Sequence, residues 1–245
     1  MKKNVLKVLL VFACCLVFAS CGSDDSDSIP SFPDEVSIST NFESGADGWS
    51  ADFADYPVGE EQFYELNSGI ASLPAPLDVN KKGYMITGIN HSDDLFMFIK
   101  RKITGLQPNT NYLATLSFNL ASNAPSNAIG VGGAPGEGVW VKYGFTTVEP
   151  LKVATAEASQ NSYRMNIDIG AQSNSGNDSR LLGHIANGNE PGQLTFVNLA
   201  KSNASSPYQF TTDSNGEAWV YLSTDSGYES VTTVYYNSIE ITLRK

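Results

Sequence analysis

Residues 112–120 read Y-L-A-T-L-S-F-N-L, and this stretch decides the fold class. Apolar side chains occupy every second position from Tyr112 to Leu120, and the positions between them include Thr115, Ser117 and Asn119. Neighbouring side chains of a strand point to opposite faces, so a period of two buries one face and wets the other. The stretch E-A-W-V-Y-L-S-T at 217–224 alternates in the same way. One buried and one wetted face is typical of an antiparallel β-sandwich.

The rest of the chain beyond residue 37 also predicts short strands. Apolar runs rich in Val, Ile, Phe and Tyr alternate with clusters of Gly, Asn, Ser and Thr, which favours an all-β fold. No segment predicts a helix of three turns, although residues 153–163 are compatible with one helical turn. The predicted strands are 36–42, 69–73, 84–89, 95–103, 112–121, 139–145, 163–169, 193–198, 208–212, 218–224 and 231–243.

The N-terminus predicts export. Three lysines precede an apolar run at 8–18, and F-A-S-C follows at 18–21. This order is typical of a secretory signal peptide, assigned to residues 1–20, and the run is too short for a stop-transfer helix. The cysteine after the small residues resembles a bacterial lipobox, which implies that a diacylglycerol is attached to Cys21 and anchors the protein to a membrane. The alternative is an ordinary cleaved signal peptide with a chance cysteine.

Residues 21–37 predict a tether. The segment is acidic, serine-rich and carries two prolines, a composition that buries little surface. Acidic residues directly after Cys21 resemble the surface-export signal of Bacteroidetes-type lipoproteins, which implies the outer membrane with the domain exposed at the cell surface. A plain linker on a lipoprotein that faces the periplasm is the alternative. Residues 38–245 are long enough for one domain with a substantial core.

Cysteine usage and charge exclude several functions. All three cysteines lie in the leader or at Cys21, so the folded part has neither a disulfide nor a cysteine-based metal site or nucleophile. Without the three leader lysines, 12 basic residues face 26 acidic ones, a formal charge of −14. A surface of that sign repels phosphates, so we expect no nucleic-acid binding.

Three segments resemble galactose-binding-like jelly rolls, the fold of many carbohydrate-binding modules. They are N-F-E-S-G-A-D-G-W at 41–49, T-G-L-Q-P-N-T-N-Y at 104–112 with the strand that follows it, and V-Y-Y-N-S-I-E-I-T-L at 234–243. The resemblance implies a jelly-roll β-sandwich of one domain. Residues 124–207 exceed what such modules need, so we expect an insertion or long loops over one face.

The resemblance also implies a structural calcium site, since an acidic residue of the opening strand and an Asp of the closing strand supply oxygen ligands in such modules. Glu43 matches the first position. Asn237 stands where the Asp would be, and Glu240 follows three residues later. A solvated glutamate and a turn asparagine are the alternative interpretation.

The stretch H-S-D-D at 91–94 contains the residue types of a serine-hydrolase triad. On an extended strand, His91 and Asp93 share one face and Ser92 and Asp94 the other, so three neighbours cannot form the chained hydrogen bonds of a triad. The chain also lacks a Gly-x-Ser-x-Gly elbow. We interpret the stretch as a polar entrance to the strand at 95–103, with His91, Asp93 or Asp94 as one corner of a binding site in the alternative. Apolar residues on both faces of that strand predict a central position in a sheet.

The region 130–190 is richest in groups that suit a polyhydroxylated ligand, which needs directional polar groups and an aromatic face. A glycine-rich surface loop with a core tryptophan is the alternative. His91 and His184 lack the spacing of a metal enzyme. The predicted ligand-binding residues are His91, Asp93, Asp94, Glu137, Trp140, Tyr143, Asp168, Asp178, Arg180 and His184.

The leading functional hypothesis is a non-catalytic, lipid-anchored surface protein that binds a glycan or adheres to one. The first alternative is a carbohydrate-active enzyme, which needs two carboxyl groups about 5–10 Å apart. Its candidates are Asp93, Asp94, Glu137, Asp168 and Asp178, but their spacing selects no pair. The second alternative is a structural surface protein that binds another protein and exposes an aromatic patch.

Overall fold

The computed structural model describes residues 31–92, 94–158 and 160–245. These residues form fifteen strands and no helix, joined by turns and loops. The leader, Cys21 and Asp93 lie outside them. Residues Phe32–Lys245 form one compact unit. The strands are β1 Glu35–Thr40, β2 Trp49–Ala54, β3 Tyr56–Pro57, β4 Asn67–Ser72, β5 Lys82–Ile89, β6 Leu95–Ile103, β7 Asn111–Ser122, β8 Val139–Thr146, β9 Lys152–Ala156, β10 Asn161–Met165, β11 Arg180–His184, β12 Val197–Ser202, β13 Tyr208–Thr211, β14 Ala218–Ser226 and β15 Val231–Arg244.

Two antiparallel sheets face each other. The first has seven strands, in the order β12-β7-β15-β5-β4, with β1 paired to β15 and β13 paired to β7. The second has five, in the order β11-β8-β14-β6-β2. The alternation at 112–120 becomes β7, whose Leu116 and Phe118 are buried between the sheets while Ser117 is exposed. The predicted antiparallel β-sandwich is confirmed, and β6 is central in its sheet as expected.

The five-stranded sheet is buried on both faces. Met97 and Ile99 of β6 point into the sandwich core, so Phe96 and Phe98 point to the opposite, outer face. Those two rings are also fully buried. They belong to a second apolar group, here called the outer-face cluster, formed by Ala54, Phe96, Phe98, Ile169 and Tyr221.

The outer face is covered by residues within 147–158 and 160–179, here called the covering segment, which lies in the region where an insertion was expected. Ile169 packs in the outer-face cluster, and the Tyr221 hydroxyl donates to Asp178 O at 3.0 Å. The segment approaches β8 so closely that a Cβ on Gly144 would overlap the Asp178 carbonyl oxygen. Only glycine fits this position without displacing the segment.

The covering segment includes a hairpin that the sequence interpretation missed. The stretch that was compatible with a helical turn contains β9 and part of β10, and these strands form a three-stranded sheet with β3. Strands β2 and β11 were also missed; each is short, with six and five residues. In the described part of the chain, nothing helical is long and apolar enough to cross a membrane.

Candidate functional site

The structure distributes the predicted ligand-binding residues over several places. Asp93 lies outside the described residues, so its role stays a prediction. His91 and Asp94 lie in the β5–β6 loop, Trp140 and His184 face each other on β8 and β11, and Tyr143 and Arg180 line a cleft at the edge of the five-stranded sheet.

The H-S-D-D stretch is the loop that enters β6. The Ser92 N–H donates to Asn90 Oδ1 at 3.0 Å, and the Ser92 hydroxyl donates to Asp94 O at 3.3 Å. The His91 ring stacks on Phe63 with centroids 4.0 Å apart. These local contacts are those of a polar strand entrance, and no Ser–His hydrogen bond forms between the described side chains.

Asp94 also lies near other charged side chains. Asp55, Asp94, Lys142, Arg164 and Asp225 form a group that is here called the distal charge cluster. The Lys142 ammonium is fully buried and donates to Asp225 Oδ2 at 2.8 Å and to Ile169 O at 2.9 Å. Asp225 Oδ2 also accepts the Gln172 N–H. Lys142 therefore ties the covering segment to the sheet.

The carboxyl groups of this cluster titrate above their usual range. Burial raises the pKa of Asp55 to about 6, against the nearby Arg164 guanidinium. Burial, together with the negative charges of Asp55 and Asp225, raises the pKa of Asp94 to about 7. Burial also raises the pKa of Asp225, against Lys142. Three carboxyl groups face two cations, so a proton on the cluster relieves the excess negative charge.

Stability is expected to fall as the pH rises from about 4 to about 7. In that window the folded chain keeps protons on Asp55 and Asp94 that the unfolded chain has released, so deprotonation favours unfolding. Asp94 is 41% exposed, so solvent screening reduces its share. We expect a loss on the order of 2 kcal/mol between pH 5 and pH 8, measured by urea denaturation. A decline of the same size in Asp55→Asn/Asp94→Asn would contradict this assignment.

The carboxylates of Asp168 and Asp178 accept hydrogen bonds within the covering segment itself. Asp168 accepts the backbone N–H groups of Asn177 and Gly170, which hold the pKa of its carboxyl below the usual range. Asp178 Oδ2 accepts the Asp168 N–H at 2.9 Å. Glu137 accepts the Asn127 N–H. The carboxylates proposed for an enzyme therefore do not gather around one cleft within the described residues.

Trp140 and His184 face each other across the β8–β11 ladder, with ring centroids 6.2 Å apart. Trp140 is also the cross-strand neighbour of Asp225 on β14. The register of the sheet thus brings the predicted tryptophan next to the distal charge cluster.

Tyr143 and Arg180 line a cleft of about 400 Å³, here called the serine-rich cleft. Asn203 donates to the Tyr143 hydroxyl at 3.0 Å, and the Arg180 guanidinium lies 5.1 Å from the centroid of the Tyr208 ring. Leu182 and Pro207 add apolar surface. Hydroxyl groups come from Ser175, Ser202, Ser205 and Ser206.

The proposed calcium ligands divide between two adjoining clefts. Glu43 and Asn237 line a cleft of about 550 Å³ on the outer face of the seven-stranded sheet, together with Asn119 and Asn198. Asn237 lies at an irregularity of β15 and donates to Asn198 Oδ1 at 2.6 Å. Glu240 accepts the Ser39 hydroxyl and lines the neighbouring cleft. Among the described residues, no three His, Cys, Asp or Glu side chains group as metal ligands.

Calcium binding stays a prediction with a direct test. If Glu43 and Asn237 hold Ca²⁺, adding millimolar calcium to the chelated protein should raise Tm by several degrees, since a ligand that binds only the folded state stabilises it. The variant Glu43→Gln/Asn237→Ala should not respond. An unchanged Tm in the parent protein would sink the calcium hypothesis.

Several residues of these sites were missed from the sequence. Asp55, Lys142 and Asp225 belong to the distal charge cluster. Ser202, Ser205 and Ser206 line the serine-rich cleft. A lysine with apolar residues on either side in a predicted strand is a usable signal, since Lys142 lies between Val141 and Tyr143. Its partner could not be read from local spacing.

No protein-family model matches the chain, and no curated protein does either. Among solved structures, the chain is similar to the xylan-binding CBM22-1 domain of Paenibacillus barcinonensis, with 13% identity, 85% of this chain and 94% of that chain covered, and a TM-score of 0.39. It is also similar to a family 11 carbohydrate-binding module of Clostridium thermocellum in complex with a mixed-linked tetrasaccharide, with 10% identity, coverage of 86% and 95%, and a TM-score of 0.36. The likeness is confined to the fold, and these structural neighbours are carbohydrate-binding modules.

Proposed function

We propose that this protein binds a glycan without catalysing a reaction, and that it does so in the serine-rich cleft. The observation that carries the proposal is the composition of that cleft. It combines four serine hydroxyls, the Asn203 carboxamide and an arginine with two tyrosines in about 400 Å³. Ligand sites of roughly 300–1,000 Å³ with a few placed polar groups suit small ligands.

Each type of lining group has a function toward a sugar. Serine hydroxyls both donate and accept, which matches the hydroxyl groups of a saccharide. Leu182 and Pro207 offer apolar surface to the C–H side of a sugar ring. Asn203 is buried and bonded to β7 through the Leu116 N–H and the Ala114 carbonyl, so the cleft floor is held by the main sheet. Such preorganisation reduces the entropy lost on binding.

The proposal includes lipid anchoring at Cys21 and exposure at the cell surface. It is supported by the charge, apolar run and cysteine of the leader, followed by the acidic tether. A domain on such a tether would meet polysaccharide in the medium.

Binding is tested with the purified domain on a broad glycan array, followed by calorimetry on the glycans that bind. Ser205 is exposed and lines the cleft, so Ser205→Trp should fill the entrance and lower affinity by at least about tenfold. The matched control is Ser214→Trp, at an exposed turn residue outside the cleft, which should bind like the parent.

Labelled glycan on intact cells tests the anchored form. Cells that carry Cys21→Ser should lose the surface signal if the lipid holds the protein there. A folded domain that binds no glycan on the array, or equal binding by Ser205→Trp and its control, would refute the proposed site.

A further inference from the structure

Arg180 differs from the other arginines of the described chain. Arg101 pairs with Asp47, Arg164 with three carboxylates, and Arg244 with Glu35. Arg180 has no carboxylate within ion-pair distance among the residues that the structure describes. In a chain with 26 acidic and 15 basic residues, an arginine without a carboxylate is a notable exception.

The guanidinium of Arg180 is held by one nitrogen only. Its Nη1 donates to Ser179 O at 2.7 Å, to Gly176 O at 2.9 Å and to Asn177 O at 3.4 Å. Its plane lies over the Tyr208 ring. Within the described residues, the Nε and Nη2 edge makes no hydrogen bond. That edge is the pair of parallel donors that binds a carboxylate in bidentate fashion.

We propose that Arg180 gives the serine-rich cleft a preference for an acidic saccharide, whose oxyanion binds the Nε and Nη2 edge of the guanidinium. The inference rests on the glycan-binding function proposed above and names its ligand class. The oxyanion is the carboxylate of a uronic acid or a sulfate ester, since both present oxygens to a guanidinium. The exposed serine hydroxyls then bind the neutral hydroxyl groups of the same saccharide.

The charge of the whole protein does not prevent this contact. Repulsion between exposed charges is screened beyond about 8 Å at physiological ionic strength, whereas a bidentate pair acts at contact. Asp178, two residues before Arg180, is bonded through Oδ2 to the Asp168 N–H and belongs to the covering segment. Anchoring of Nη1 by three carbonyl groups leaves little side-chain entropy to lose when the oxyanion binds.

The test compares three probes by calorimetry at 0.15 M salt: trigalacturonate, a sulfated galactan trisaccharide and neutral β-1,4-galactotriose. The parent protein should bind at least one acidic probe tighter than the neutral one by about tenfold or more, because hydrogen bonds between ionised groups are roughly twice as strong as neutral ones. Tighter binding of trigalacturonate assigns the carboxylate, and tighter binding of the sulfated probe assigns the sulfate ester.

Variants separate charge from geometry. Arg180→Gln should reduce the affinity for the acidic probe about tenfold more than the affinity for the neutral probe, because only the acidic probe loses a charged contact. Arg180→Lys should recover only part of the loss, since an ammonium keeps the charge but not the fork. The control Arg244→Gln, at an exposed arginine of the terminal strand, should bind like the parent.

The outcomes distinguish this inference from the proposed function. If neutral glycans bind, Ser205→Trp abolishes that binding and Arg180→Gln leaves the acidic-to-neutral ratio unchanged, the acidic preference is refuted and glycan binding stands. If no probe and no arrayed glycan binds to the folded protein, both are refuted.

Discussion

Replacing Lys142 by methionine is expected to destabilise the protein by about 3–5 kcal/mol, because it leaves a buried carboxylate without its partner. The side chains of Lys142 and Asp225 are 0% and 1% exposed. The substitution also removes the hydrogen bond to Ile169 O, which holds the covering segment. Urea denaturation at pH 7 measures the change in the free energy of unfolding.

A second lysine provides the matched control. Lys102 pairs with Glu217 at 2.6 Å, but its side chain is 43% exposed, so Lys102→Met should destabilise the protein far less than Lys142→Met, because exposed ion pairs contribute little to stability. The double variant Lys142→Met/Asp225→Leu should recover much of the loss, since replacing a buried ion pair by apolar residues is often neutral. Equal effects of the two single substitutions would show that the Lys142 pair is not buried as described.

Replacing Phe98 by alanine is expected to cost about 3–5 kcal/mol, the range for a large aromatic side chain in a core. Phe98 points away from the main core and packs in the outer-face cluster, to which the covering segment contributes Ile169. Burial in that cluster is therefore what makes the substitution costly. Thermal or urea unfolding measures the loss, and limited proteolysis measures loosening of residues 147–179.

Phe63 is the matched control, since it is a phenylalanine that is 58% exposed. Phe63→Ala should change the free energy of unfolding by less than about 1 kcal/mol. If Phe98→Ala also cost that little, with no new proteolytic sites, the outer face would be open to solvent. An open aromatic face would then compete with the serine-rich cleft as the glycan-binding surface.

The candidate site was partly predictable. Tyr143 and Arg180 were selected because a region rich in polar and aromatic groups suits a saccharide, and both line the serine-rich cleft. Asp168 and Asp178 were selected on the same chemistry, but the loop folds back and its own N–H groups take up their carboxylates. Residue type indicates which ligands a side chain is able to bind. The fold determines whether its polar groups are already hydrogen-bonded within the protein.

Lys142 illustrates the limit most clearly. Its partners, Asp225 and Ile169 O, come from β14 and the covering segment. The spacing of residues along the chain does not predict such partners, because antiparallel pairing joins residues that are far apart in the sequence. The same register places Trp140 beside Asp225, and Asp225 lies beside Asp94. Asp94 of the H-S-D-D loop therefore belongs to the distal charge cluster and not to a catalytic triad.

The sequence by itself determined the all-β class, the strand with alternating faces at 112–120 and the interior position of β6, since each follows from the local pattern of apolar and turn residues. It also excluded cysteine chemistry in the compact unit, because all three cysteines precede Phe32. Only the tertiary structure decided which face of the five-stranded sheet is covered, which carboxylates are occupied and which arginine keeps a free edge. Those properties depend on contacts between segments distant in the chain, and the geometry of such contacts is set when the sheets pack.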